Sequence, residues 1–124
     1  MSRNAVNENP DQIAADYIER WQKFWNEQGT IAALYSADSV LVGYRIAIGR
    51  TDIAALLQSI RDQDWTCISI KIVNARAVAG FVLVACEYTA IGSGRNAGQT
   101  RAGKSSHVLT QVDGAWVSAM HTTT

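Results

Sequence analysis

The stretch ALYSADSVLVG, Ala33–Gly43, divides the chain into two kinds of sequence. It leaves an apolar turn, passes a lone carboxylate at Asp38, and runs into the branched residues of a strand, SVLVGY (Ser39–Tyr44). Before it, apolar residues recur with helical spacing; after it, beyond one further helix, they recur in extended runs. Asp38 stands at the junction, where a carboxylate accepts backbone N–H bonds in a turn, and reads as scaffolding rather than as a catalytic group.

Upstream of the junction, Asn9 is placed to cap a helix, Pro10 suits its first position, and Gln12 completes the spacing of a capping box. Ile13, Tyr17, Ile18, Trp21, Phe24, Trp25 and Gln28 fall along one stripe, with Asp16, Glu19, Arg20 and Lys23 on the remaining surface. Gly29 is predicted to end this helix in the left-handed conformation, and Thr30 to cap a second, short helix through Tyr35. Residues 1–8 are polar and patternless and are predicted to form a flexible tail ahead of a single domain, residues 9–124.

Downstream, IAIG reads as a short return strand closed by Gly49. Thr51 and Asp52 then open a third helix with an apolar stripe of Ile53, Leu56, Leu57 and Ile60, ending near Asp62–Asp64. Four extended runs follow: Trp65–Ala77, Phe81–Ile91, about Arg101–Val112, and Ala115–His121. Ala79-Gly80, the loop GSGRNAGQ and Asp113-Gly114 separate them, the last being a strong hairpin signal. Helices first and a strand meander afterwards predict an α+β domain, a curved antiparallel sheet with helices on one face. Wrapped over a helix bearing two tryptophans and a tyrosine, such a sheet leaves a cavity at its open end.

The 124 residues include eleven basic and eleven acidic side chains, and charged residues make up 18% of the chain, below the usual ~25%. That balance argues against nucleic acid or a polybasic membrane contact and favours a small apolar partner. Cys67 and Cys86 lie in apolar runs, where a free thiol behaves as a small hydrophobe, so no disulfide is expected. No run approaches a membrane span and MSRNAVNENP lacks the apolar core of a targeting signal, which predicts a soluble, cytoplasmic protein. HExxH, CxxC, GxSxG and Walker patterns are missing, and the glycines of GSGRNAG have no helix after them, so neither metal nor cofactor is expected.

The order helix, short helix, ALYSADSVLVG, GRTDIA, long strands and VDGAWVSAMH resembles the nuclear transport factor 2-like superfamily of cone-shaped α+β proteins, over about Asp11 to His121. Within it the chain is similar to the SnoaL-like polyketide cyclase and ketosteroid isomerase-like branches. The resemblance implies a cone-shaped sheet wrapped around the long N-terminal helix with two shorter helices, a pocket between that helix and the concave face, and a homodimer through the outer sheet face. It also implies where steroid-isomerase groups would stand. The general-base aspartate falls on Gly43, the tyrosine of the first helix on Trp21 and the protonated acid of a late strand on Ser106, so that mechanism is not expected here.

By the same resemblance Val82, Val84, Cys86 and Tyr88 point inward, which leaves Glu87 on the dimer side. The candidate ligand pocket comprises Tyr17, Trp21, Tyr35, Tyr44, Leu57, Cys86, Tyr88, Ser106 and Val108, aromatic surface with a few hydroxyls able to reach a ligand carbonyl. The candidate catalytic residue is His121. A two-residue turn at Asp113-Gly114 would pair Val112 with Ala115 and set His121 opposite Ser106, sending His107 to the other face. Arg95, Arg101 and Lys104 form a basic rim around the glycine-rich loop. Two functions stay open: binding of a small apolar or aromatic metabolite, with a cofactor-free cyclisation, isomerisation or dehydration as its chemistry, or a non-enzymatic association or ligand-carrier module.

Overall fold

The structure, a computed structural model, describes residues 9–124, apart from the side chain of Cys67. The tail expected over residues 1–8 lies outside the described residues. Helix α1 spans Pro10–Asn26, and the Asn9 Oδ1 accepts the N–H groups of Asp11 and Gln12 at 2.8 and 3.3 Å. The Gln12 side chain turns instead to Asp16 (2.8 Å), so only half of the capping box forms. At the other end the left-handed residue is Gln28 (φ 56°), not Gly29. Gly29 is needed for proximity: its N–H reaches the Phe24 carbonyl at 2.7 Å, and a Cβ there would come within 3.1 Å of Phe24.

A 3₁₀ turn, Ile31–Leu34, follows without a side-chain cap from Thr30. Strand β1 starts at Tyr35, earlier than SVLVGY suggested, and runs Tyr35–Val42; β2 is Ile46–Ile48. Helix α2 spans Arg50–Arg61 and opens from Gly49 (φ 90°), so Thr51 and Asp52 belong to its first turn rather than to its cap. Then come β3 (Trp65–Val78), β4 (Phe81–Gly92), a 3₁₀ turn Gly94–Asn96, β5 (Thr100–Val112) and β6 (Ala115–Thr123). The β5–β6 hairpin turns on Asp113 and Gly114 at φ 51° and 82°, the two positive values of the tight turn that its sequence predicts.

The six strands lie in the order β2-β1-β6-β5-β4-β3. Every pair is antiparallel except β1–β6, which is parallel, so the sheet is mixed and not wholly antiparallel as expected. After β1 and β2 the chain passes through α2 to the far edge of the sheet and meanders back, which brings β6 alongside β1 in the same direction. The curled sheet encloses α1, which presents Ala14, Tyr17, Ile18, Trp21 and Trp25 to it. Leu34, Leu41, Ile53, Val82, Val84 and Leu109 complete this core, each fully buried branched side chain contributing about 1.5–3 kcal/mol. The Arg61 side chain, 5% exposed at the end of α2, donates to the carbonyls of Phe24 (3.0 Å) and Gly29 (3.1 Å) and so ties α2 to the end of α1.

One irregularity decides how β6 faces. Val112 pairs with Ala115 and Leu109 with Ser118, but Val108 pairs with Met120, so Ala119 is an extra residue bulged from the ladder. Beyond it His121 stands opposite His107, not opposite Ser106. Because side chains alternate with a period of two, a single bulged residue exchanges the faces of everything after it.

Candidate functional site

Between α1, the C-terminal half of α2 and the inner face of β3–β6 lies a hollow of about 120 Å³. One wall is aromatic. Trp21 and Trp25, one turn apart on α1, stack with ring centroids 5.3 Å apart and planes at 12°, a spacing that the helical period imposes on residues i and i+4. Leu57 and Ile60 of α2 and Ile68 and Ile70 of β3 supply the aliphatic surface. At the mouth stand Trp65, with the Arg101 guanidinium 5.4 Å over its ring, and Tyr44, which is 68% exposed. Tyr88 and Ser105 complete the rim on β4 and β5, where Gly103 pairs with Tyr88. A Cβ at Gly103 would come within 2.7 Å of the Tyr88 ring, so glycine is what lets that ring lie across β5.

The polar floor is a pair of histidines. His107 and His121 are 3% and 4% exposed and stack at 4.0 Å between centroids, 24° from parallel. His121 is held from behind by a relay. Trp21 Nε1–H donates to the Tyr35 hydroxyl (3.0 Å), which lies 2.8 Å from His121 Nδ1. A buried phenol must place its own proton, and His121 Nδ1 is the acceptor within reach. Burial raises the pKa of Tyr35 well above its ordinary value, the Trp21 hydrogen bond opposing it, so Tyr35 keeps that proton. His107 Nδ1 lies 3.0 Å from Ser118 Oγ, which donates its single proton to the Met120 carbonyl (3.0 Å). Burial lowers the pKa of His121 to about 3, and burial together with the neighbouring His121 lowers that of His107 well below the usual value. Both rings are therefore neutral at ordinary pH.

The structure brings Trp21, Tyr44, Leu57, Tyr88 and His121 together around the hollow. Tyr17, Tyr35 and Cys86 lie behind its wall rather than on it. Tyr17 donates to the Leu34 carbonyl (2.9 Å), and burial pushes the free thiol of Cys86 up to about 11. Ser106 and Val108 belong to the other face, where with Leu83 and Ala85 they border a more open depression. The resemblance set them toward the pocket, but in the unbroken β4–β5 ladder Ser106 pairs with Ala85 and Val108 with Leu83 on the outer face. His107, expected on the outer face, points inward opposite Val84.

Other expectations keep or lose their footing in the same geometry. Glu87 is exposed on the outer face in register between Lys71 and Lys104, as the alternation of β4 required. Asp38 is exposed and away from the hollow; its Oδ1 accepts the Ser36 hydroxyl (3.4 Å), while the backbone there is held by Ser39 Oγ donating to the Ser36 carbonyl (2.8 Å). Of the basic rim, Arg95 is paired with Asp64 (3.1 Å) and Arg101 reaches the mouth. Sequence reasoning missed His107, Ser105 and Trp65. The facing of β4 would have found the first two, since Val84 pairs with His107 and Cys86 with Ser105, had the β4–β5 register been readable across the glycine-rich loop.

Among the described residues no Asp or Glu side chain lines the hollow. Among the described residues no group of three His, Cys, Asp or Glu side chains is arranged to hold a metal ion, and no helix is long and apolar enough to cross a membrane.

No known protein-family model matches the chain, and no curated protein does. Solved structures do match. An NTF-2 like protein of unknown function from Shewanella oneidensis MR-1 superimposes with a TM-score of 0.79 at 12% identity, covering 93% of this chain and 98% of that one. A putative calcium/calmodulin dependent protein kinase II association domain from Xanthomonas campestris gives 0.76 at 15% identity, covering 94% and 88%. A hypothetical protein with a ketosteroid isomerase-like fold from Catenulispora acidiphila DSM 44928, in complex with trimethylamine, gives 0.61 at 16% identity, covering 87% and 83%. At these identities the likeness is one of architecture, and it agrees with the curled sheet, the enclosed helix and the α+β order found here: the chain has the nuclear transport factor 2-like fold.

Proposed function

We propose that this protein binds a small apolar or aromatic molecule in the hollow beside α1. The observation that carries the reading is the hollow itself, walled by Trp21, Trp25 and Trp65, with no Asp or Glu side chain among its described lining residues and floored by two neutral imidazoles. Concave apolar sites with a few placed polar groups are where small ligands bind. The trimethylamine complex of the Catenulispora protein is a case of a small organic molecule held by a protein of this architecture. Tryptophan emission titrated with a panel of aromatic and steroid-like compounds tests the reading, with Trp21→Phe as control. A shift in the wild type that weakens in the variant supports it, and an emission that no compound perturbs overturns it.

In this reading catalysis runs through His121. A neutral imidazole whose Nδ1 accepts from Tyr35 offers Nε2–H to a ligand oxygen, the contact that polarises a carbonyl in a cofactor-free cyclisation, isomerisation or dehydration. His121→Ala, assayed for turnover of any ligand found, checks that assignment; unchanged rates remove His121 from it.

A second reading is favoured by the outer sheet face, where Val78, Phe81, Ile91, Val112 and Met120 are all exposed. We read this face as a homodimer interface, in keeping with an association domain among the structural neighbours. Light scattering of the wild type against Phe81→Glu separates dimer from monomer.

A further inference from the structure

His107 and His121 are two neutral imidazoles that offer opposite things. Tyr35 must donate to His121 Nδ1, because its oxygen already accepts from Trp21 and its proton has no other acceptor among the described residues. His121 therefore carries its hydrogen on Nε2. With the Ser118 proton on the Met120 carbonyl, His107 Nδ1 donates to Ser118, and His107 Nε2 is left as a bare lone pair. Neither Nε2 has a partner among the described residues, and neither is sealed from solvent as Trp25 Nε1 and Arg61 Nε are. Both rings line the hollow and stack with centroids 4.0 Å apart. The floor thus presents one donor and one acceptor, both uncharged, beneath a tryptophan wall.

We propose that this pair recognises a single uncharged hydroxyl on an aromatic ring, which accepts from His121 Nε2–H and donates to His107 Nε2 while the ring lies against Trp21. The inference rests on the binding reading above and specifies the ligand class for that site. An ether or ketone can accept from His121 but leaves the His107 lone pair desolvated and unpaired, which disfavours it by about tenfold or more. A phenolate or carboxylate brings charge into a largely apolar hollow and sets a lone pair against that of His107. Arg101, the guanidinium among the lining residues, stands at the mouth over Trp65.

The test uses probes that share a para-tolyl frame: para-cresol, 4-methylanisole and para-xylene, titrated into the whole chain at neutral pH and followed by the indole N–H signals in 1H–15N correlation spectra. The expected result is that all three shift those signals and that para-cresol binds about tenfold or more tightly than 4-methylanisole. Equal affinity for para-cresol and 4-methylanisole, with para-xylene also binding, overturns the hydroxyl assignment and leaves the binding reading standing. Failure of all three to bind overturns both. A second measurement needs no variant: long-range 15N–1H correlations of the imidazoles should show bare Nδ1 in His121 and bare Nε2 in His107. The opposite tautomer in either ring overturns the proposal.

Discussion

The Tyr35 hydroxyl sits 2.8 Å from His121 Nδ1 and at the same time accepts Trp21 Nε1–H at 3.0 Å, so one phenol on β1 fixes a tryptophan of α1 and a histidine of β6. Tyr35→Phe removes the phenol and leaves two buried polar atoms unpaired. Each unsatisfied group costs about 1–3 kcal/mol, so the variant should lose roughly 2–4 kcal/mol in urea unfolding, with little loss of apolar packing. It should also free the His121 ring to change tautomer, visible in the imidazole 15N spectrum. A loss below about 0.5 kcal/mol would mean that the relay does not order the floor of the hollow.

Acid should weaken the fold before the carboxylates titrate. Burial holds His121 neutral down to about pH 3, and His107 is lowered in the same direction. Unfolded histidines take up protons near pH 6.5, so below that pH the unfolded state binds more protons than the folded one and stability falls. The contribution is complete above about pH 6.5 and is lost on the way down, at ~1.4 kcal/mol per pH unit for each histidine. Thermal melts between pH 7 and pH 5 should show Tm falling, and His121→Gln should flatten the fall. A Tm constant across that range contradicts the burial of neutral imidazoles.

Removing Ala119 should take the irregularity out of β6 without changing how its end faces. In the deletion variant Ser118 still pairs with Leu109, and Met120 and His121 follow in step opposite Val108 and His107. The expected outcome is that the His107–His121 contact is kept, read from the imidazole proton signals. Loss of that contact in a variant that still folds would show that the extra residue at Ala119 does not set the facing.

Arg61 should be hard to replace. Its guanidinium donates to the Phe24, Trp25 and Gly29 carbonyls around the end of α1, and hydrogen bonds to charged groups are worth about 1.5–3 kcal/mol. Arg61→Met should therefore cost about 2–3 kcal/mol in denaturant unfolding. Arg61→Lys should recover only part, because an ammonium acts as a point donor and does not span the Phe24 and Gly29 carbonyls as a planar fork does. Full recovery by lysine would assign the effect to charge alone.

What the sequence made legible follows from where information is stored. Strands β3 to β6 could be bounded closely because Ala79-Gly80 and Asp113-Gly114 supply turns with positive φ at both positions, a demand that few residue pairs meet. The α1 stripe was readable because helical spacing collects Ile18, Trp21 and Trp25 on one side. The alternation of β4 was readable for a similar reason, and with it the facing of Tyr88 and Glu87. A bulge leaves no such trace. Ala119 is an ordinary alanine in an ordinary strand sequence, and its extra place in the ladder comes from tertiary pairing. The bulge set His121 opposite His107 instead of Ser106, while the β4–β5 register, which no local residue announces, put His107 inside and Ser106 and Val108 outside. The parallel β1–β6 pair was equally silent, since it depends on a route through α2 and the far edge of the sheet rather than on any local residue.

That parallel pairing also bears on when the hollow can exist. Tyr35 comes from the first long strand to be synthesised and His121 from the last, and the two strands pair at Tyr35 with Ser118 and again where Val40, Leu41 and Val42 meet Met120, His121 and Thr122. Contacts so distant along the chain form late, after the entropy of closing the intervening loop has been overcome. The β3–β5 meander can assemble from neighbouring hairpins, whereas the imidazole floor arises only with the final closure of the sheet. Ligand capture should then coincide with the slowest step of folding, and a bound molecule would act as a clasp on the joint between the first strand and the last.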